Sequence, residues 1–272
     1  MKRYTLLILI ITLFLANINT SLSTANAQTI KFEIQTNMGN MRGFLYDDTP
    51  GHRDAFVKLV KQGHFDGTLF YRVVKDFVIQ GGSSDSRNAK PGKHIGYGND
   101  AVNIDSEFKK NCFHKFGALC APRQPDKVNV FKTSDVSQFY IVRGRVYTDD
   151  YLNKYENSIN IPIKRQLKKT YYEPHKEELA QLKETDKQAY NTLLRDIKER
   201  IEMEYRVSNY KQFSSEQRQA YTTIGGAPQL DGEYTVFGEI TEGLDVMVKI
   251  NDLSVDVNSR PYTDVKMKVI IL

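Results

Sequence analysis

The glycines of this chain are distributed unevenly, and their distribution constrains the fold more than any other feature of the sequence. None of the 17 glycines lies between Val146 and Ile224. Outside that segment, short apolar runs are separated by glycine-containing turns, which is typical of antiparallel β structure. Inside it, Pro162 and Pro174 are the only prolines, and such a lack of turn residues favours helices. The sequence therefore predicts a β domain interrupted by a helical insertion.

The β part has the two-residue periodicity of half-buried strands. Apolar side chains occupy every second position in residues 30–36 and again near the C-terminus in 265–272. The turn residues at 37–40 predict a hairpin, and Thr49 followed by Pro50 predicts a capped helix start. The strand-like runs are 30–36, 41–45, 68–74, 77–80, 117–121, 137–142, 235–239 and 265–272. A short helix is predicted at 244–250. Because a closed sheet has no exposed edges, about eight strands and two helices around one core predict a closed antiparallel barrel.

The glycine-free segment has the pattern of amphipathic helices. Thr148 is a suitable cap for a first helix, and a longer helix is predicted from Pro174 to about Val207. The apolar residues at helical spacing in that longer helix are Tyr190, Leu193, Leu194, Ile197 and Ile201. The insertion is either packed on its parent barrel or an arm that presents a binding surface to a client. The sequence leaves both interpretations open.

The N-terminus has the pattern of a secretory signal peptide at residues 1–27. Lys2 and Arg3 precede an apolar run at 6–16, and the small residues at 25–27 suit cleavage. An uncleaved membrane anchor is the alternative, but it needs about 20 apolar residues. We therefore expect an exported protein, periplasmic or extracellular, without stable membrane insertion. The predicted organisation is a signal peptide at 1–27, a barrel domain at 28–147 and 221–272, and a helical insertion at 148–220.

Charge and cysteine content exclude some functions and leave one question open. The chain has 38 Lys and Arg against 33 Asp and Glu, without a concentrated basic stripe, so nucleic-acid binding is not expected. The five histidines are scattered without a metal-ligand spacing, so we expect no metal and no other cofactor. Export would permit a disulfide between Cys112 and Cys120, and a buried free thiol at Cys120 is the alternative.

One stretch, residues 70–82 (FYRVVKDFVIQGG), places Arg72 inside an apolar, strand-like run. A guanidinium there is costly to bury, although an arginine that faces solvent would also fit. Three further stretches follow in order: 137–141 (SQFYI), 230–239 (LDGEYTVFGE) and 242–246 (EGLDV). Together these motifs resemble those of the cyclophilin family of peptidyl-prolyl cis-trans isomerases. The resemblance covers 30–142 and 225–272, and it implies an eight-stranded antiparallel barrel with two capping helices.

The family's reaction requires a hydrogen-bond donor beside an apolar pocket. Rotation about a peptide bond meets a barrier of about 18–20 kcal/mol, because resonance must be broken. The twisted amide nitrogen can accept a hydrogen bond, so a fixed donor stabilises that state more than the planar ones. By resemblance, Arg72 is this catalytic donor and Gln80 orients it. The positions that match substrate-binding residues are Phe77, Val78, Pro122, Arg123, Gln138, Tyr140, Gln229, Leu230 and Tyr234, with Phe237 as support behind the pocket or as a plain core residue.

Several of these positions depart from the usual family pattern. Val78 replaces a methionine, Tyr140 a phenylalanine, and Tyr71 and Tyr234 replace histidines. The hydroxyl of Tyr140 would lie in an apolar pocket, so it must find a partner. Gln229 stands where many members have the tryptophan that binds cyclosporin, so we expect weak cyclosporin binding.

Two classes of function fit the resemblance. The first is an isomerase that acts on proline-containing unfolded or exported polypeptides. The second is a non-catalytic peptide-binding chaperone or scaffold on the same fold. The presence of Arg72 with Gln80 favours the enzyme. Because the insertion lies between Tyr140 and Gln229, we expect its ends to emerge beside the pocket.

Overall fold

The computed structural model describes residues 29–98 and 101–272, and the predicted signal peptide lies outside them. The strands in this part of the chain are β1 (Lys31–Thr36), β2 (Gly39–Leu45), β3 (Phe70–Val74), β4 (Val78–Gly81), β5 (Asn103–Ile104), β6 (Ala118–Cys120), β7 (Ser134–Asp135), β8 (Phe139–Val142), β9 (Val236–Glu242) and β10 (Met267–Ile271). The α-helices are α1 (Pro50–Lys61), α2 (Asp149–Tyr171), α3 (Lys176–Thr185), α4 (Lys187–Val207), α5 (Ser215–Thr223) and α6 (Leu244–Asn251).

Eight strands form one curled antiparallel sheet in the order β10-β1-β2-β9-β6-β8-β4-β3. The predicted hairpin is confirmed, since β1 and β2 pair with Ile34 opposite Met41. The two edge strands come close together: Leu69 bridges Lys266, and the Phe70 amide donates to the Val265 carbonyl over 2.9 Å. No regular ladder joins β3 to β10 in the described residues. The structure therefore shows a curled, open half-barrel and not the closed barrel that we predicted.

The inner face of the sheet holds an aromatic core. The buried Phe56 of α1 lies 5.7 Å from Phe32, 5.9 Å from Phe139 and 5.4 Å from Phe237, measured between ring centroids. Helix α6 adds apolar side chains to the same cluster. The two predicted capping helices are thus present, and α1 and α6 both pack on the sheet.

Helix α1 begins at Pro50, as predicted, but its cap differs from the prediction. Among the described residues, Thr49 makes no side-chain capping bond. Instead, the Glu107 carboxylate accepts hydrogen bonds from the Gly51 amide at 3.1 Å and the His52 amide at 2.9 Å. Burial raises the pKa of Glu107, but the bonds from His52 and Gly51 outweigh it and hold this pKa below its ordinary value. The cap comes from a distant loop, so no local pattern indicates it.

Four helices, α2 to α5, lie between β8 and β9, and we call them the helical segment. Thr148 caps α2 as predicted, since its hydroxyl accepts from the Tyr151 amide at 3.2 Å. The single helix predicted from Pro174 to Val207 is wrong, because α3 ends at Thr185 and α4 begins at Lys187. Between them, Asp186 has extended backbone and its carboxylate accepts from the Gln188 and Ala189 amides, both at 3.0 Å. Aspartate bonds to nearby backbone in this way at helix starts, so it begins a second helix.

Contacts on both sides of the helical segment tie it to the rest of the protein. Its two ends form a pair that we call the neck: Arg145 and Gly226 exchange reciprocal backbone hydrogen bonds, each of 3.1 Å. Beside the neck, a small cluster joins the two parts, and it consists of Phe113, Tyr147, Leu152, Phe213 and Tyr221. These contacts support the packed interpretation of the segment. Of the helices described, none has the length and apolar character required to cross a membrane.

Candidate active site

A row of side chains crosses five neighbouring strands on the outer face of the sheet. Cross-strand pairing aligns its members, which are Val236, Cys120, Tyr140, Gln80 and Arg72. Directly opposed residues of paired strands point to the same face. The row therefore places the predicted donor and its predicted partner beside the tyrosine of the predicted pocket, on the side away from the aromatic core.

Hydrogen bonds fix the orientation of the Gln80 amide beside Arg72. The Arg72 Nη1 atom donates to Gln80 Oε1 over 3.3 Å, and Gln80 Nε2 donates to the Tyr71 hydroxyl over 2.8 Å. Burial raises the pKa of Tyr71, so its hydroxyl stays protonated and donates to Gln138 Oε1. The amide of Gln80 thus presents its oxygen to the guanidinium. The role of Tyr71 was not predicted.

The side chain of Gln138 is engaged inside the protein. Its Oε1 accepts from Tyr71, and its Nε2 donates to Asp135 Oδ2 at 3.0 Å and to the Gly96 carbonyl at 3.3 Å. Gln138 would have to exchange one of these bonds to contact a substrate's backbone. In this structure it supports the Tyr71–Gln80 pair.

The predicted apolar pocket comes together around the row. Five of its predicted residues lie in one cluster with Cys120, namely Phe77, Val78, Tyr140, Leu230 and Tyr234. Val78 and Tyr140 are buried and form its floor, while the other three are half-buried at its rim. The rings of Tyr234 and Tyr140 pack edge to face, with their centroids 6.0 Å apart. Phe237 lies elsewhere, in the inner core.

The remaining predicted residues lie around this pocket. The Pro122 carbonyl accepts from the Asp135 amide at 2.8 Å. The Arg123 side chain is only 5% exposed, and it donates to the Glu233 carbonyl at 2.7 Å and to Glu233 Oε2 at 2.9 Å. Its guanidinium lies 4.8 Å from the centre of the Tyr234 ring. Gln229 is exposed in a 3₁₀ turn, Pro228–Leu230. Arg123 therefore holds Glu233 and Tyr234 in place at the rim, and Gln229 faces solvent.

Sequence reasoning missed the polar support beneath the pocket. His114 Nε2 lies 3.0 Å from the Tyr140 hydroxyl, and His114 Nδ1 lies 2.9 Å from Asp231 Oδ1. The expectation that Tyr140 needs a partner is confirmed, but nothing in the sequence identified His114, which is distant along the chain. Burial raises the pKa of Asp231, but hydrogen bonds and charge from His114, with Lys211 and Tyr221, lower it below its ordinary value.

Other chemistry-bearing groups lie near the row. Cys112 and Cys120 are both free, and burial raises the pKa of Cys112 to about 11. Within residues 29–98 and 101–272, no group of three His, Cys, Asp or Glu side chains could hold a metal ion.

A cleft of about 200 Å³ adjoins Arg72, and its lining residues are Tyr71, Arg72, Lys93, His94, Ile95, Tyr97, Asn258 and Arg260. This cleft leaves open space beside the guanidinium.

A curled antiparallel sheet with an arginine beside an apolar pocket on its outer face defines the cyclophilin class of protein. The family model described as cyclophilin type peptidyl-prolyl cis-trans isomerase/CLD matches residues 31–157 and 168–271. This match covers more than half of the chain. The protein therefore belongs to the cyclophilin-type peptidyl-prolyl cis-trans isomerase family.

Individual relatives agree with this family assignment. A candidate peptidyl-prolyl cis-trans isomerase of Staphylococcus haemolyticus is 26% identical over 246 residues, with 89% of this chain and 90% of the relative covered. A similarly named protein of Staphylococcus aureus strain COL is 28% identical over 245 residues, with the same coverage. A crystal structure of a Cryptosporidium parvum cyclophilin type peptidyl-prolyl cis-trans isomerase matches with a TM-score of 0.50 and 17% identity, covering 90% of this chain and 98% of that one. The structural match supports the fold.

Proposed function

We propose that this protein catalyses cis–trans isomerisation of Xaa-Pro bonds, and that it acts on exported, proline-containing polypeptides. The observation that carries this proposal is the alignment of Arg72, Gln80 and Tyr140 on one face of the sheet. It sets a hydrogen-bond donor beside an apolar floor. The family supplies the reaction class, and the residues of this chain supply the geometry.

In the proposed mechanism, the proline ring enters the pocket and covers the floor formed by Val78 and Tyr140. Phe77 and Leu230 contact its sides. Arg72 has five N–H donors and uses one on Gln80, so others remain for the prolyl nitrogen. That nitrogen accepts a hydrogen bond only when the amide is twisted, so Arg72 stabilises the transition state more than either planar isomer.

The substrate and location follow from the N-terminal pattern. Lys2 and Arg3, the apolar run at 6–16 and the small residues at 25–27 support cleavage of a signal peptide and export to the periplasm or the cell exterior. Unfolded polypeptides that have just crossed a membrane are the proposed clients. Mass spectrometry of the exported protein tests this, since cleavage would leave Gln28 as its first residue.

Weak cyclosporin binding is part of the same proposal. Gln229 is exposed at the rim and has no aromatic ring to cover a bulky apolar ligand. Inhibition by cyclosporin should therefore require far higher concentrations than for a family member with tryptophan at this position. Introducing the tryptophan with Gln229→Trp should increase the inhibition.

The deciding experiment is the isomerisation rate of a short Xaa-Pro peptide, followed by exchange NMR. We expect Arg72→Ala to reduce kcat/KM about 10²–10³-fold, as removal of one transition-state donor does elsewhere. Arg165→Ala is the matched control, because Arg165 is an exposed arginine of the helical segment and far from the row in sequence. Wild-type turnover no faster than background would instead favour the non-catalytic chaperone. Equal rates for wild type and Arg72→Ala would remove Arg72 from the mechanism.

A further inference from the structure

The hydroxyl of Tyr140 points away from the pocket whose floor its ring forms. A carboxylate can only accept hydrogen bonds, so the 2.9 Å contact between Asp231 Oδ1 and His114 Nδ1 places the imidazole proton on Nδ1. The other ring nitrogen, Nε2, lies 3.0 Å from the Tyr140 hydroxyl, and the two groups form a hydrogen bond. The two rings lie nearly parallel, with an interplanar angle of 12°. His114 thus binds the one polar atom of the pocket floor from below.

The helical segment supplies the other half of this network. Asp231 Oδ2 accepts from the Tyr221 hydroxyl at 2.7 Å and from Gln217 Nε2 at 3.1 Å, and both residues belong to α5. Lys211, which precedes α5, donates to the Asp231 carbonyl at 3.3 Å. The Asp231 side chain is 7% exposed and Tyr221 is fully buried. A continuous buried path therefore runs from the pocket floor through His114 and Asp231 to the helical segment.

Few alternatives exist for the Tyr140 hydroxyl. Among the described residues, the thiol of Cys120 also bonds to it, and a thiol is a weak hydrogen-bonding group. A buried hydroxyl without a good partner is costly, so loss of His114 would favour rotation of Tyr140 toward the open side. That side is the surface on which the proline ring would lie. The orientation of Tyr140 therefore decides whether the pocket is apolar and open.

We propose that His114 and Asp231 are positioning residues of the prolyl pocket, and that the helical segment holds them in place through Tyr221 and Gln217. This inference rests on the proposed function, since it concerns binding of the proline ring at that site. It assigns the helical segment a role in the pocket itself. Because Arg72 is held separately by Gln80, the network acts on substrate binding and leaves the catalytic donor untouched.

The test is a set of double-mutant cycles with Tyr140→Phe, a change that keeps the ring and removes the hydroxyl. We expect His114→Gln to raise KM for a short Ala-Pro peptide about 3- to 10-fold, and Tyr221→Phe about 2- to 5-fold, with kcat changed less than about twofold; these ranges correspond to loss of one hydrogen bond. Both effects should disappear when residue 140 is already phenylalanine, because that ring needs no partner.

Tyr155→Phe is the matched control. Tyr155 belongs to the same segment and lies 6.0 Å from Phe213, but Asp231 accepts from Tyr221 and not from it. An equal KM increase for Tyr155→Phe and Tyr221→Phe, or effects that persist in the Tyr140→Phe background, would overturn the inference. If His114→Gln does not fold, the Tyr221→Phe cycle decides alone.

The same double-mutant cycles test the positioning role even if the protein shows no isomerase activity. If wild type does not accelerate isomerisation, the proposed function fails by itself. The Kd of the Ala-Pro peptide, measured by NMR titration, then replaces KM. The same fold-changes in Kd, and their disappearance in the Tyr140→Phe background, would support the positioning role. Unchanged Kd values would reject it.

Discussion

The eight-stranded sheet buries whole aromatic rings, whereas the helical segment buries few side chains of any kind. Phe32, Phe56, Phe139 and Phe237 are each at most 1% exposed, and the Phe56 ring contacts the other three. In the described residues, α2, α3 and α4 each bury a single side chain, namely Leu152, Leu179 and Ile197. The segment relies more on its polar contacts with Asp231 and on the neck. We therefore expect the proposed donor, Arg72, to lie on the more stable part, and the pocket floor to be supported by the less stable one.

This difference has a consequence for motion. Regions with few buried apolar contacts open locally at a lower free energy than the core of the same protein. We expect α3 and α4 to open without unfolding of the sheet. Each of the following predictions tests this difference between the two parts.

The largest effect should come from the aromatic core. Phe56→Ala should lower the free energy of unfolding by about 3–5 kcal/mol, because it leaves a cavity among the rings of Phe32, Phe139 and Phe237. Urea unfolding followed by circular dichroism measures the change. Lys58→Ala, an exposed change on the same helix, should stay within about 0.5 kcal/mol. If Phe56→Ala lowered the free energy of unfolding no more than Ile197→Ala in α4 does, the sheet would not be the more stable part.

The second-largest loss of stability should come from Asp231, where the helical segment meets the rest of the protein. Asp231→Asn should cost about 3 kcal/mol near pH 7, because it leaves His114 and Lys211 without their buried anion. The pKa of Asp231 is lower in the folded protein than its ordinary value of 3.8, so the stability it contributes is complete above 3.8. It is lost as pH falls through the folded pKa, so wild type and variant should converge in acid. A constant difference from pH 7 to pH 3 would show that the charge of Asp231 is not the cause.

A smaller and local effect should follow from a change inside the helical segment. Ile197→Ala should cost about 2 kcal/mol for opening of α3 and α4, with no change in the strands. Hydrogen exchange with mass spectrometry resolves the two regions, and Lys198→Ala is the exposed control on the same helix. Faster exchange in β4 or β8 would mean that the two parts unfold as one unit.

The smallest effect should come from the cap between α3 and α4. Asp186→Ala should cost about 1 kcal/mol, because two backbone amides at the start of α4 lose their acceptor. The helical signal in circular dichroism should fall slightly on warming, and peptide isomerisation should be unchanged. If Asp186→Ala changed kcat, the tip of the helical segment would be coupled to Arg72.

Much of the sheet could be predicted because its signal is local. Alternation at 30–36 and 265–272 predicts β1 and β10, which pair as strands, and the hairpin turn at 37–40 is confirmed. The cap of α1 could not be predicted, since Glu107 reaches it from a distant loop. The break at Asp186 was not predicted, because the apolar periodicity from Tyr190 to Ile201 was extended back to Pro174 as one helix.

The candidate site also contains residues that local motifs predicted and residues that they did not. Arg72, Gln80 and the pocket residues stand in motifs, and strand pairing brings them to one face. His114 and Tyr221 stand in none of these motifs, and Asp231 stands in one without a predicted role. Their contact depends on how the helical segment docks against the sheet. A buried tyrosine hydroxyl indicates that a partner must exist, but not which residue it is.

The neck has a consequence for how this chain folds. The cost in entropy of closing a loop grows only with the logarithm of its length, by about 0.6 kcal/mol for each doubling. Because Arg145 and Gly226 bond directly to each other, strand pairing on either side does not depend on the register of what lies between them. Whole helices could be added or removed beyond this pair at little cost in closure. The neck is therefore a point at which such a chain can change its length in evolution without losing its sheet.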